Sequence, residues 1–144
     1  MTLGEIVGQS EFVTELNADL STEFQSIVQY VQHAATIKGA EYRSIVEELG
    51  SHVAQELEHA KILATQIDFL GGTPTVEVPP VPDCPDGASA LQADLDLEER
   101  QLQRYRDRVT EAADLGLPDV AEALRPLLEQ TQDHVIELRD ALGK

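Results

Sequence analysis

A proline-rich segment near the middle of the chain constrains its fold more than any other feature. Five of the seven prolines lie between residues 74 and 85, and Gly71, Gly72 and Gly87 flank them. Because proline fixes φ and removes a backbone donor, no α-helix runs through this composition. We therefore expect residues 71–87 to form a crossover loop that divides the 144-residue chain into two halves.

Each half is predicted to form a pair of helices, and the breaks fall at Gly39 and at the turn Gly116–Pro118. The expected helices cover residues 10–37, 41–70, 88–115 and 119–142, with a kink at Pro126. An extended crossover would span roughly 50 Å, whereas a helix of this length is roughly 42 Å long. The second and third helices can therefore run parallel, and we predict a single all-α domain over 1–144, a four-helix bundle with one long crossover.

Each predicted helix carries an apolar stripe with a three-to-four residue spacing, and each stripe turns polar near its middle. The interrupting carboxylates and imidazoles are Glu23, Glu56, His59, Glu98 and His134. A buried carboxylate costs several kcal/mol unless it is paired or bound to a metal. The pattern therefore predicts a cation-binding cluster at the middle of the bundle.

The two halves of the chain repeat each other when the sequence is shifted by 75 residues. The matching polar pairs are Glu23 and Glu98, Tyr30 and Tyr105, and His59 and His134. A repeat of this kind predicts a pseudo-twofold axis through the polar cluster.

Position 131 breaks the repeat, because Thr131 stands where the repeat of Glu56 predicts a second carboxylate. We interpret Thr131 as a lost ligand. Gln130 would turn inward only if Pro126 changed the register of the helix. His52, whose repeat partner is apolar, is expected to be solvated or at the end of the bundle, with a role as an additional ligand left open.

The net charge of −17, from 27 acidic and 10 basic residues, limits the function classes. It disfavours binding to nucleic acid or to an anionic membrane surface, and favours cationic partners. No apolar run is long enough to span a membrane and no signal pattern opens the chain, so a cytoplasmic protein is expected. The single cysteine, Cys84, cannot form an internal disulfide.

Together these residues resemble the ferritin-like di-iron carboxylate family, and within it the bacterioferritins most closely. The segments that carry the resemblance are Glu23, Gln29–His33, Glu56–Ala60, Phe69–Pro74 and Asp94–Glu98. It implies a ferritin-like fold that binds two irons, with manganese or zinc as possible occupants. Glu23 and His59 would hold one ion. Glu98 and His134 would hold the other, with Glu56 as the bridge.

The resemblance further implies a ferroxidase, which oxidises ferrous iron with oxygen or peroxide for iron storage or detoxification. Tyr30 would lie beside the cluster as a hydrogen-bond donor or electron source. Leu57 replaces the methionine that binds haem in bacterioferritins, so no haem is expected. Only ten residues follow His134, too few for the fifth helix of the large cages. This favours a homo-oligomer such as a dimer or a smaller cage.

Two alternatives remain from the sequence. One is a rubrerythrin-like peroxidase or oxidase on the same bundle, although the paired cysteines of a rubredoxin domain are absent. The other is a degenerate module that binds metal without catalysis. His33 is expected at the surface or in ordinary packing, and the cluster Arg100–Arg108 on a solvated helix face or a subunit contact.

Overall fold

The structure is a computed structural model that describes residues 1–144, and it consists of helices without any strand. A short 3-10 helix at Ala40–Tyr42 precedes the second long helix. The four long helices are α1 (Leu3–Thr36), α2 (Arg43–Phe69), α3 (Gly87–Asp114) and α4 (Pro118–Ala141). The predicted all-α four-helix bundle is confirmed.

Helix α1 begins at Leu3, seven residues earlier than the sequence predicted. Thr2 and Glu5 form a reciprocal cap, in which each side chain accepts a hydrogen bond from the backbone N–H of the other, at 3.1 and 2.7 Å. The first turns have no buried face, and Leu3 is 77% exposed. The apolar stripe that guided the prediction therefore begins only further along the helix.

The other helix boundaries lie within two residues of the predicted ones. Pro118 occupies the first turn of α4, where its missing N–H costs no hydrogen bond. Helix α4 continues through Pro126 as a single element.

The helices pack in a ring, with α1 against α2 and α3, and α4 against α3 and α2. His33, near the end of α1, meets Asp94 in the first third of α3, whereas Glu15 meets Arg108 near the end of α3. Helices α1 and α3 are therefore antiparallel. Because the short connection also makes α1 and α2 antiparallel, α2 and α3 run parallel, as predicted.

The crossover is attached to α1 by hydrogen bonds and runs towards the C-terminal end of that helix. The Asn17 side chain donates to the Thr73 carbonyl at 3.1 Å, and the Ser21 hydroxyl donates to the Glu77 carbonyl at 3.1 Å. At its start the chain passes so close to α1 that a Cβ at Gly72 would lie 2.5 Å from Val13. Any other residue at this position would force the Val13 side chain to move.

The apolar core consists of two separate clusters, one towards each end of the bundle. One cluster contains Leu16, Leu63 and Leu124, and the other contains Leu49, Leu91 and Leu138. The buried polar side chains lie between them. None of the helices combines the length and the hydropathy that crossing a membrane requires.

Candidate metal centre

All five side chains predicted to form the polar cluster come together between the two apolar clusters. Each of the four long helices supplies at least one of them, and each of the five is 1% exposed. They are Glu23 from α1, Glu56 and His59 from α2, Glu98 from α3, and His134 from α4.

The five residues form two triads that share Glu56, and the ligand atoms within each triad lie within 4.8 Å of one another. In the first triad, His59 Nδ1 is 3.3 Å from Glu56 Oε2 and 3.7 Å from Glu23 Oε1. In the second, His134 Nδ1 is 2.8 Å from Glu56 Oε1 and 3.5 Å from Glu98 Oε1. Glu56 thus offers one oxygen to each triad.

Two glutamines hold the imidazoles from behind. His59 Nε2 donates to Gln130 Oε1 at 2.6 Å, and His134 Nε2 donates to Gln55 Oε1 at 2.5 Å. Because Nε2 is the donor to the glutamine, Nδ1 is the ring nitrogen that faces the carboxylates, where it can bind a metal once it has lost its proton. The structure thus places Gln130 behind His59 and not among the carboxylates.

Gln55 was missed in the sequence, although the repeat contains the signal that could have found it. Gln55 and Gln130 are separated by the same 75 residues as the two histidines. The glutamine of each half therefore supports the histidine of the other half, in agreement with a pseudo-twofold arrangement.

The two buried tyrosines show the same exchange between halves. The Tyr30 hydroxyl donates to Glu98 Oε1 at 2.5 Å, and the Tyr105 hydroxyl donates to Glu23 Oε1. Burial, together with the nearby charge of Glu98, raises the pKa of Tyr30 well above its usual value. Both tyrosines therefore remain protonated donors at neutral pH.

Burial and mutual repulsion set the protonation of the carboxylates and imidazoles. Burial and the charges of Glu23 and Glu98 raise the pKa of Glu56 well above its usual value. Burial also opposes ionisation of Glu23, but its contacts with Glu56 and His59 prevail and lower its pKa to about 2. Although burial lowers the pKa of His59, the neighbouring carboxylates raise it to about 10. Protons thus balance much of the negative charge in the cluster.

Two buried aspartates brace the helices around the centre. Asp94 Oδ1 accepts hydrogen bonds from Gln29 and from His33 Nδ1, both at 2.8 Å. Of the two places expected for His33, at the surface or in packing, the structure shows the second, because His33 is 2% exposed and bonded to this carboxylate. The residue pattern along α1 alone does not show that Asp94 of α3 lies opposite His33.

The matching aspartate in the other half has guanidinium partners instead. Asp19 accepts from Arg104 Nε at 2.6 Å and from Arg108 Nε at 2.9 Å. The sequence placed Arg108 on a solvated face or a subunit contact, yet it is only 5% exposed. Arg104 and Arg108 stand 75 residues after Gln29 and His33, the partners of Asp94. The repeat therefore extends to the two aspartates, but their partners are arginines in one half and a glutamine and a histidine in the other.

Thr131 makes no contact with the carboxylates through its hydroxyl. The residue is fully buried, and its Oγ1 donates to the Leu127 carbonyl of the preceding turn at 2.6 Å. A hydroxyl bonded to its own helix is not directed at the cluster, which agrees with the interpretation of Thr131 as a lost ligand.

His52 lies inside the bundle, not at its end or in solvent as expected. It is 1% exposed, and its ring stacks on His134 with centroids 3.9 Å apart and planes inclined by 22°. Its Nε2 is 2.5 Å from Glu137 Oε2. Burial, followed by the neighbouring His134, lowers the pKa of His52. The partner on α4, which a stripe read along α2 cannot show, explains its position.

The buried polar atoms of the cluster fit a pair of bound cations. Seven buried side-chain atoms form no hydrogen bond of acceptable geometry, and four of the seven belong to predicted ligands: Glu23 Oε2, Glu56 Oε1, His59 Nδ1 and His134 Nδ1. His134 Nδ1 and Glu56 Oε1 lie 2.8 Å apart but are not aligned as donor and acceptor. Buried polar atoms are rarely left without a partner. Carboxylate oxygens combined with imidazole nitrogens suit iron, manganese or zinc.

Comparisons with known proteins agree with this geometry. The ferritin-like domain matches residues 13–144. A bacterial ferritin from Paramagnetospirillum magnetotacticum is 29% identical over 139 residues, which cover 94% of this chain and 85% of the relative. A ferritin-like, diiron-carboxylate protein from Bacillus anthracis str. Ames superposes with a TM-score of 0.90 at 29% identity, over 99% of both chains. The resemblance seen in the sequence is thus confirmed, and the chain belongs to the ferritin-like family.

Proposed function

We propose that the protein is a di-iron ferroxidase. The observation that carries the proposal is the pair of triads that share Glu56, with the Nδ1 atoms of His59 and His134 turned towards the carboxylates. In this proposal Glu23 and His59 bind one ferrous ion and Glu98 and His134 bind the other. Glu56 bridges them.

Ferrous iron is the substrate, and oxygen or peroxide is the oxidant. Two ferrous ions give up one electron each, so one oxygen molecule with two protons becomes hydrogen peroxide. With peroxide as the oxidant, the same two electrons and two protons yield two water molecules. The relationship to the bacterial ferritin supports iron storage or detoxification in the cytoplasm as the setting.

The chain itself positions the ligands and limits the access of water. Gln130 and Gln55 hold the two imidazoles from behind, so that each Nδ1 lone pair stays directed at the ligand position. Tyr30 keeps one oxygen of Glu98 in place. The apolar clusters on either side exclude water, which strengthens the interaction between carboxylates and cations.

The missing fourth carboxylate makes the two metal positions unequal in this proposal. Three carboxylates balance all but one of the four positive charges on two ferrous ions. Thr131 supplies no charge and its hydroxyl is bonded to the helix. We therefore expect one of the two ions to bind more weakly, and we expect the assembly to be a homo-oligomer, as is usual in this family.

Anaerobic titration with ferrous iron, followed by exposure to oxygen, tests the proposal. We expect two ferrous ions per chain at the centre and formation of ferric iron, and we expect Glu56→Gln to abolish both the second of these ions and the oxidation. Glu58→Gln removes a charge from an exposed position two residues away and serves as the matched control. Metal binding without oxidation by either oxidant would contradict the ferroxidase and favour a non-catalytic module. Faster turnover with peroxide than with oxygen would favour the rubrerythrin-like alternative.

A further inference from the structure

A third group of metal-ligand atoms lies outside the two triads. Glu48 and His52 of α2 and Glu137 of α4 bring one ligand atom each within 4.8 Å of one another. None of the three belongs to the proposed di-iron centre. The group combines one imidazole with two carboxylates, a donor set that suits ferrous, manganous or zinc ions.

The surroundings of this group favour a cation. Glu48 and Glu137 line a surface groove of about 370 Å³ between the start of α2 and the end of α4. Glu41 and Asp140 also line it, and no basic side chain does. Four carboxylates at one cleft focus a negative potential and raise the local concentration of cations.

His52 connects this groove to the interior. Its side chain is 2% exposed, whereas that of Glu137 is 40% exposed. The buried imidazole therefore reaches a carboxylate that faces solvent, and its ring stacks directly on His134. The Nδ1 of His52 has no hydrogen-bond partner, an uncommon state for a buried polar atom.

The internal repeat does not extend to this group, which is present in one half of the bundle and has no polar counterpart in the other. At the positions 75 residues away, Glu48, His52 and Glu137 correspond to alanine, leucine and isoleucine: Ala123, Leu127 and Ile62. In the other half of the bundle Leu127 is part of the apolar core, and Ile62 packs against it. Three polar residues stand together on two helices where the other half has apolar residues. One shared function explains all three more simply than three separate functions do.

We propose that Glu48, His52 and Glu137 form a separate divalent-cation site at the floor of the acidic groove, from which ferrous iron passes to the half of the di-iron centre that contains His134. The passage rests on the proposed ferroxidase function, whereas the binding site does not. His52 and His134 are adjacent in this stack, so no apolar layer separates the outer group from that half of the centre.

Cobalt(II) is a suitable probe because, unlike ferrous iron, it is not oxidised by air at such sites. It can therefore report on the outer site and on the di-iron centre in the same crystal. Crystals of the full chain soaked in cobalt chloride and measured at the cobalt edge should show an ion held by all three residues, besides those at the centre. In the double variant Glu48→Gln/Glu137→Gln we expect the outer ion to disappear and the central ions to remain. The variant Glu47→Gln, on an exposed position of the same helix, should keep the outer ion.

Calorimetric titration with cobalt(II) and the rate of iron oxidation complete the test. The double variant should bind one cobalt fewer per chain, and it should oxidise limiting amounts of ferrous iron about tenfold more slowly because steering by the groove is weakened. An outer ion that survives the double substitution, or that never occupies the wild-type group, would overturn the proposal. Glu56→Gln separates the two proposals, because it removes the bridge of the centre and no ligand of the outer group. An outer ion that is retained in this variant would support the outer site even if the ferroxidase fails.

Discussion

The Nε2 atom of His59 donates to the Oε1 atom of Gln130 at 2.6 Å, across the interface of α2 and α4. This bond holds the imidazole with its Nδ1 towards Glu56. Loss of such a supporting contact lowers metal affinity by about 10- to 100-fold. We therefore expect Gln130→Leu to weaken binding at the position of Glu23 and His59 by this factor, as measured by calorimetric titration with cobalt(II).

The equivalent change in the other half, Gln55→Leu, should weaken the position of Glu98 and His134 instead. Gln132→Leu, on an exposed position of α4, should change neither affinity. If Gln130→Leu and Gln132→Leu bound metal alike, the contact behind His59 would have no part in holding the ligand.

Restoring the missing carboxylate should tighten metal binding while it destabilises the metal-free bundle. In Thr131→Glu a fourth carboxylate would join Glu23, Glu56 and Glu98 in a site without solvent. An unpaired buried charge costs about 3 kcal/mol or more, so the melting temperature without metal should fall. With two divalent ions the charges balance, and the melting temperature should exceed that of the metal-loaded wild type.

Calorimetric unfolding scans with and without cobalt(II) measure both effects of this substitution. Thr131→Gln has a similar shape without the charge and should show no gain on metal addition beyond that of the wild type. A Thr131→Glu protein whose metal affinity equals that of Thr131→Gln would contradict the idea that one carboxylate is missing.

Removal of the Tyr30 hydroxyl should destabilise the metal-free protein and slow oxidation. Tyr30→Phe leaves a buried oxygen of Glu98 without its donor, which costs about 2 kcal/mol. Urea unfolding measures this loss, and we expect a similar one for Tyr105→Phe because that hydroxyl is bonded to Glu23 in the same way.

Oxidation kinetics separate the two tyrosines. If Tyr30 supplies an electron or a proton, Tyr30→Phe should slow ferric iron formation under oxygen more than Tyr105→Phe does. Equal rates in both variants would restrict Tyr30 to a structural role.

The burial of Asp19 should appear in the pH dependence of stability. Desolvation outweighs the attraction of Arg108 and Arg104 and raises the pKa of Asp19 from 3.8 to about 6. The folded protein then keeps this proton to a higher pH than the unfolded chain does, so the free energy of unfolding declines as pH rises from about 4 to about 6. The shift corresponds to about 3 kcal/mol.

Asp19→Asn isolates this contribution among the many carboxylates. The stability difference between wild type and variant, measured by urea unfolding at a series of pH values, should fall with rising pH across the same window. A difference that rises with pH would mean that the guanidinium groups outweigh burial and lower the pKa of Asp19.

The sequence was sufficient to predict the bundle and the five central residues, because both depend on patterns within single helices. Prolines and glycines marked the helix ends, and polar interruptions of the apolar stripes marked Glu23, Glu56 and their partners. The start of α1 was missed since its first turns lie outside the core and carry no stripe.

Residues whose partners lie on another helix were harder to interpret. His33 and Arg108 look like surface residues along their own helices, and only the approach of α1 to α3 shows that Asp94 and Asp19 bury them. His52 is similar, since its partner Glu137 belongs to α4. The repeat is the one sequence signal that crosses helices, and it would have identified Gln55 from Gln130.

The separation of the apolar core into two clusters has a mechanical consequence. Each cluster draws residues from all four helical segments, so each end of the bundle closes on its own. In the ionisable layer between them, protons balance much of the carboxylate charge in the absence of cations, and no apolar cluster holds the four helices together. An ion bound by side chains from different helices cross-links those helices in this layer. Without the ion the two ends of the bundle open independently, whereas with it they unfold together as one cooperative unit.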